Sequence, residues 1–528
     1  MGRVTASIAS RYSFTTKLLA AVVLVAVANA LFYGHAAGAT LGAFALLWVV
    51  LLAVFGSRRS APVLIALLLA SLCALVLIEA PSLLGWTLFW IAISSAGPLA
   101  RRRFDNAGDW VARLLAHIAL GLARPVADLI RIGRIRHGKA TARFGALART
   151  AALPLVGGTL FLALFAGANP VIGNLFLSIQ APYPMDIVLH LLFWTLVFLA
   201  VWPSFRPAPM VTRPASIAFD IPVIGGIPPA SITLSLLVFN AIFLLQNLLD
   251  IAFLWSGAPL PGSITLADYA HRGAYLLIVT ALLAGLFVLL FLHPGSAAAR
   301  RPMIRNLVVL WIAQNLLLVT SSILRTWDYV EAYSLTVLRI SALAWMGLVG
   351  TGLFLICWRL VAERSTRWLI NANAIAAMLV LSAANIVDVS AVAAWWNVRH
   401  SDKVGQNGNA IDLCYLNHLG SSALLPIIDL EKRARGPVLR DSIAAIRHDA
   451  LANLAADQAD WHRWTWRGAR RLAAAQAALG PNPRHAAPAP NGRDCDGSRL
   501  PPPLQAAPVA AAEAPAPAAS PLTNEAEQ

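Results

Sequence analysis

APVLIALLLASLCALVLI, residues 61–78, runs for eighteen residues without one Asp, Glu, Lys or Arg. About 20 such residues in a helix cross the hydrocarbon core of a bilayer. Ten more uncharged stretches of 17 to 21 residues occur, at 18–34, 40–56, 82–100, 150–168, 187–203, 229–249, 273–292, 306–324, 340–358 and 368–387. In lipid only helices or closed barrels satisfy every backbone group. A barrel would show segments of about ten residues alternating in polarity, and the chain has none. Its 528 residues are 58% hydrophobic and 12% charged, half the charge of about 25% usual in soluble domains. The expected fold class is therefore all-α: a polytopic integral membrane bundle of about eleven transmembrane helices, with a small helical C-terminal domain and a disordered tail.

The net charge of +16 invites a nucleic-acid reading, which its distribution excludes. With the N-terminus cytoplasmic and eleven alternating spans, inner segments hold 24 of the 27 Lys and Arg in residues 1–396. The outer loops hold Arg272, Arg325 and Arg339 alone. This is the positive-inside bias of short loops, so the charge serves topology and no nucleic acid is expected. The same model places the C-terminal region outside, in the periplasm of a bacterial inner membrane. An Arg-heavy usage of 37 against four Lys hints at a GC-rich bacterial genome. Span 1 contains Ala28-Asn29-Ala30, which resembles a signal-peptide cleavage site. The apolar run continues past it, which favours a retained helix.

Five regions follow. Residues 1–98 carry spans one to four. Residues 99–149 form a basic cytoplasmic loop, in which Trp110, Leu114, Ile118 and Leu122 share one helical face. Arg113, Arg124, Arg131 and Arg134 supply charge there, and Pro125 is expected to break or kink the helix. Such a helix can lie on anionic lipid at the inner leaflet or pack on the bundle. Residues 150–388 carry spans five to eleven, and 389–480 a helical extramembrane region that includes Trp461, Trp464 and Trp466. Residues 481–528 are rich in Pro and Ala, a composition that cannot offset chain entropy and is expected to be disordered. Cys73 and Cys357 fall in spans, where inert thiols are expected. Cys414 and Cys495 are the only two cysteines of the tail, and an oxidising compartment would allow a disulfide between them.

No catalytic motif stands out: HExxH, GxxxxGK[ST], paired CxxC and GxSxG are all absent. Cys414 and His418 lie one turn apart, too few ligands for a metal site, so no catalytic residue, metal or cofactor is expected. The informative residues are polar ones at or near membrane depth, which are expensive there and face the bundle interior. Span 7 has Asn240, Gln246 and Asn247, with Asp250 at its end. Asp268, Tyr269, His271 and Arg272 follow. Span 9 has Gln314 and Asn315, then Arg325, Asp328, Glu331 and Arg339. The candidate outer polar cluster is accordingly Asn247, Asp250, Asp268, Tyr269, His271, Arg272, Arg325, Asp328, Glu331 and Arg339. It fits structural ion pairs or a ligand site, and Asp250 with Arg325 is the pair to test.

Four segments in this region resemble a bacterial membrane family called domain of unknown function 4173. They are FNAIFLLQNLLDIAFLW at 239–255, ITLADYAHRGAYLLIVTALL at 264–283, YVEAYSLTVLRISALAW at 329–345 and WWNVRHSDKVGQNGNAIDLCYLNHLGSSALLPII at 395–428. The Tyr-Ala-x-Arg-Gly element falls on Tyr269, Ala270, Arg272 and Gly273, with His271 variable. The Tyr-x-Leu-Thr-x-x-Arg element falls on Tyr333, Leu335, Thr336 and Arg339. The resemblance implies membrane architecture and no mechanism. The leading functional expectation is a non-enzymatic envelope assembly or signalling component with an envelope protein partner. A transporter using the outer cluster is the alternative. A membrane-embedded transferase on lipid-linked substrates, with Asp250, Asp268, Asp328 or Glu331 as base, comes third. Oligomeric state is not legible.

Overall fold

The computed structural model describes residues 2–56, 60–100, 104–136, 184–207, 228–255, 301–401 and 411–501, with a few isolated positions between 154 and 287. Among these the chain is helical, with no strand and a single isolated bridge between Arg493 and Arg499. The long helices are α1 (Gly2–Phe32), α2 (Thr40–Phe55), α3 (Ala61–Glu79), α4 (Leu83–Leu99), α5 (Ala107–Arg136), α6 (Pro184–Phe205), α7 (Pro229–Asp250), α8 (Pro302–Tyr333), α9 (Val337–Val361) and α10 (Thr366–Ile386). Short helices follow: α11 (Val389–Arg399), α12 (Leu413–His418), α13 (Leu424–Arg433), α14 (Pro437–Ala459) and α15 (Trp466–Leu479).

Polar residues beside the apolar runs set the helix starts. The Ser82 hydroxyl accepts from the Gly85 N–H to open α4, and Thr336, Ser365, Asp388, Asp412 and Thr465 do the same for α9, α10, α11, α12 and α15. Each satisfies one of the orphan donors of a first turn. Among the described residues, seven helices are long and apolar enough to cross a membrane: Phe14–Phe32 of α1, then α3, α6, α7, α8, α9 and α10. The expected spans at 40–56 and 82–100 are the shorter apolar helices α2 and α4. Those at 150–168 and 273–292 lie outside the described residues apart from a few isolated positions.

Two apolar clusters organise the long helices. Leu24, Trp48, Leu77, Phe89, Ile93 and Trp202 join α1–α4 to α6. Leu236, Val308, Trp311, Ile312 and Leu353 join α7, α8 and α9. The outer faces are apolar as well, with Leu64, Ile65, Leu68, Leu69 and Leu72 of α3 all half exposed or more. A soluble monomer does not expose such a continuous surface. These faces take lipid as their solvent.

α5 is turned the same way. Its polar residues Arg113, His117, Arg124 and Asp128 are buried, His117 at 3%, while Val111, Leu115, Ile118 and Leu122 are exposed, Leu115 at 61%. Asp128 accepts from Trp202 Nε1 at 3.1 Å and pairs with Arg124 at 3.3 Å and Arg206 at 3.5 Å. The Ala107 N–H donates to Asn371 of α10 at 2.8 Å. The helix runs through Pro125 without the break that was one of the two expected outcomes. Packing of α5 on α6, with Gly121 against Pro203, holds it across the missing donor, as neighbouring helices do for prolines in membranes.

His117 makes one consequence measurable. Burial lowers its pKa to about 4. The unfolded chain takes up the proton below about 6.5, before the folded one does, so it binds more protons in the window between. Stability therefore falls as pH drops from about 6.5 to 4 and levels below that. Thermal unfolding of the solubilised protein across this window should show a loss on the order of 3 kcal/mol that the His117→Phe variant lacks. Equal pH slopes for the two proteins would remove His117 from the account.

The short helices pack on one another through Leu416, Ile427, Ile443 and Ile446, and through Leu424, Leu454 and Ala475. Residues 481–501, placed by composition in a disordered tail, fold back onto α14. Asp441 accepts from the Ala487 N–H at 2.6 Å and from Arg493 at 3.0 Å. Gly497, at φ +77°, sits against the Ser442 carbonyl where a Cβ would collide. Cys414 and Cys495 are joined in a disulfide with Cα atoms 4.8 Å apart. Polar bonds and a covalent link hold this segment, and apolar composition registers neither. Residues 502–528 lie outside the described residues.

Candidate functional site

Two polar assemblies stand out. The first is a seam between α7 and α8. Gln314 Nε2 donates to Asn240 Oδ1 at 3.0 Å, and Asn240 Nδ2 donates to the carbonyls of Leu236 at 2.7 Å and Leu307 at 3.1 Å. Further along, Asn247 Nδ2 donates to the Gln314 carbonyl at 3.3 Å, and Asn315 Nδ2 to that of Trp311 at 2.8 Å. Asp250, 1% exposed, ends the row. Its Oδ1 accepts from Gln246 Nε2 at 3.0 Å and from the Arg325 guanidinium. Immediately after Asp250 the helix widens to a π turn over Ile251–Trp255, and Trp255 Nε1 donates to Ser321 Oγ at 3.3 Å.

Of the ten residues of the expected cluster, Asn247, Asp250 and Arg325 therefore share the buried seam. Asp328 and Glu331 are exposed on the last turns of α8, where Glu331 accepts from Trp327 Nε1 at 2.9 Å. Arg339 turns to the carbonyls of Tyr333 and Ser334 and lies 4.2 Å over the Tyr329 ring. It makes no carboxylate pair among the described residues. Asp268, Tyr269, His271 and Arg272 lie outside the described residues.

The second assembly joins the short helices to one end of the bundle. Arg467 and Arg470 of α15 both reach Glu79 at the end of α3, Arg467 at 3.5 Å. Arg471 pairs with Asp388 at 2.6 Å, and Arg467 also donates to the Ile386 carbonyl at 2.9 Å. Burial alone would raise the Asp388 pKa, but the Ala391 N–H, Arg471 and Ser422 outweigh it and hold the carboxylate below its usual range. Between α1 and α2, the Ala39 N–H donates to the Trp464 carbonyl at 2.7 Å and the His35 ring stacks on His462 at 3.7 Å. Gly38 lies so close to the 462–464 backbone that any Cβ would clash. Asn397 brackets Leu335, accepting from its N–H at 2.6 Å and donating to its carbonyl at 2.9 Å, while Tyr415 Oη accepts from the Val337 N–H at 2.9 Å.

The second assembly brings the ends of six long helices to one face: α1, α2, α3, α8, α9 and α10. α6 joins them through Tyr33 stacked on His190 at 3.6 Å. Sequence reasoning missed this clamp. The available signal was Arg467, Arg470 and Arg471 at helical spacing on one face of α15.

Apolar faces turned outward and polar residues turned inward define a membrane-embedded helical protein. The chain belongs to the family described as Domain of unknown function (DUF4153), whose model matches residues 63–430. This corrects the resemblance to domain of unknown function 4173. Two of the segments that suggested it, 239–255 and 329–345, include helix ends, where aromatic and arginine residues serve any multi-pass chain at the interface, so they separate families poorly. No curated protein and no solved structure matches the chain. The match runs from α3 through α13 and stops before α14, α15 and Cys495.

Proposed function

We propose that the protein is a multi-pass membrane component of envelope assembly or signalling, with its C-terminal helices displayed on the extracytoplasmic face as the interacting part. One observation carries the reading: these helices touch the α1–α2, α3–α4 and α8–α9 connections and the end of α10 together. They form a cap tied to the whole bundle, suited to relay a contact at the surface into the membrane. A disulfide within the cap supports this side, since it suits an oxidising compartment such as a bacterial periplasm.

Charge reversal tests the cap. Replacing Arg467, Arg470 and Arg471 together by Glu sets them against Glu79 and Asp388, and should release the cap while the spans stay inserted. The expected result is protease cleavage near 400–412 in the variant alone, with loss of the cellular phenotype of the intact chain. Adding Glu79→Arg and Asp388→Arg should restore resistance and phenotype together. A released cap with unchanged phenotype would overturn the role assigned to it.

The buried seam between α7 and α8 favours a second reading, a transporter with its site at Asn247, Asp250 and Arg325. Ionisable groups at membrane depth mark pathways in such proteins.

A further inference from the structure

The turn between α8 and α9 is held in a conformation that its own sequence does not favour. Three residues, Ser334, Leu335 and Thr336, join the two long helices. Ser334 closes α8 at φ +73° and ψ 162°, a region open to glycine and costly for any residue with a Cβ. Among the described residues, Ser334 and Glu363 are the two that take a positive φ without being glycine. A glycine at 334 would adopt this backbone unaided. With serine the surroundings have to impose it, and Ser334 is buried among them at 6% exposure.

The constraint comes from two sides. On α9, the Arg339 guanidinium donates to the Tyr333 carbonyl at 2.7 Å and to the Ser334 carbonyl. On the cap, Asn397 of α11 accepts from the Leu335 N–H at 2.6 Å and donates to the Leu335 carbonyl at 2.9 Å. Tyr415 Oη of α12 accepts from the Val337 N–H at 2.9 Å. The Leu335 side chain is buried with Val330 and Ala393, against Trp396 and Leu419. Asn397 is itself buried at 2% exposure, so its two bonds fix Leu335 firmly. The bonds on the far side of Ser334 therefore belong to the cap, and the costly backbone depends on the cap being seated.

We propose that the α8–α9 turn is a loaded spring with the cap as its catch. While Asn397 and Tyr415 are seated, Ser334 stays at positive φ. When the cap lifts, Ser334 returns to negative φ and the cap-side ends of α8 and α9 shift against the other spans. α8 carries Arg325 about two and a half turns below Ser334, so the shift is passed towards the buried pair with Asp250. The inference rests on the reading of the cap as the interacting part, and names the element through which its contacts enter the membrane.

The Leu335 and Val337 amides report the catch directly, since their acceptors are cap atoms and they exchange with solvent when the cap lifts. The test follows them by hydrogen exchange and mass spectrometry in the full-length protein in nanodiscs, with rates corrected for intrinsic exchange. Ser334→Gly should slow exchange about fivefold, because glycine sheds the cost of the positive φ. Ser334→Ala should leave it unchanged, since alanine bears the same cost as serine. The spring is read as the distance between spin labels at Leu338→Cys on α9 and Leu83→Cys on α4, exposed at 82% and 83%, in a Cys73→Ser, Cys357→Ser background. That distance should change when Asn397→Ala and Tyr415→Phe remove the catch, and change less when Ser334→Gly is added. If the catch variant does not fold, the exchange rates of Ser334→Gly and Ser334→Ala decide alone. Exchange in Ser334→Gly as fast as in the wild type, an equal slowing by Ser334→Ala, or labels unmoved in the folded catch variant would overturn the proposal. None of these outcomes reads a phenotype, so a failed spring leaves the role of the cap standing, and a cap without that role leaves the spring measurable.

Discussion

Replacing Arg325 by Leu should destabilise the protein by about 3–5 kcal/mol, the usual cost of stranding one member of a buried ion pair. Asp250 has no water to turn to at 1% exposure, and Gln246 offers it a single further bond. A domain holds only about 5–15 kcal/mol in reserve, so Arg325→Leu should fail to accumulate at normal temperature. Asp250→Leu strands Arg325 in the same way. The double variant Asp250→Leu, Arg325→Leu removes both charges from an apolar surrounding and should recover most of the loss, since a buried pair replaced by apolar residues is often neutral. Abundance in membranes and Tm in detergent read this out. Single defects that add in the double variant would show that the two residues do not act as a pair.

The second large effect concerns the disulfide. Cys414 and Cys495 are 81 residues apart, and closing a loop of that length removes about 4 kcal/mol of unfolded-state entropy in the chain-entropy account. The link also sits where few other forces act. Residues 481–501 are fastened mainly by the bonds of Asp441, by Asn417 Nδ2 donating to the Cys495 carbonyl at 2.9 Å, and by Arg447 donating to the Arg484 carbonyl. The Cys414→Ser, Cys495→Ser protein should keep its spans inserted, lose protection of 481–501 first, and unfold its cap well below the bundle. Limited proteolysis with and without reductant measures this. A cap equally resistant in both proteins would show that the ion pairs to Glu79 and Asp388 suffice.

How much of this was legible in the sequence depends on which force holds each element. The uncharged stretches announce a helical membrane protein because lipid imposes one rule on every residue they contain. Asp250 and Arg325 were visible for the same reason, as charges are scarce at that depth. The orientation of α5 was not, because a helix with Trp110, Leu114, Ile118 and Leu122 on one face could lie on anionic lipid or pack on the bundle, and neither reading gave Arg113, His117 and Asp128 a partner. In the structure these three face protein instead. The clamp was hidden by distance along the chain, since Arg467 and Arg470 meet a carboxylate nearly four hundred residues earlier. The fold of 481–501 was hidden because single bonds to Asp441 and one disulfide leave no apolar pattern.

The central claim is that a bundle of membrane helices carries a disulfide-linked cap on its extracytoplasmic face. The direct measurement labels Cys414 and Cys495 in intact cells with a membrane-impermeant maleimide, in a Cys73→Ser, Cys357→Ser background. The account predicts no labelling of untreated cells and full labelling after mild reduction, without permeabilisation. Labelling that appears only after lysis would place the cap on the other side of the membrane and contradict the claim.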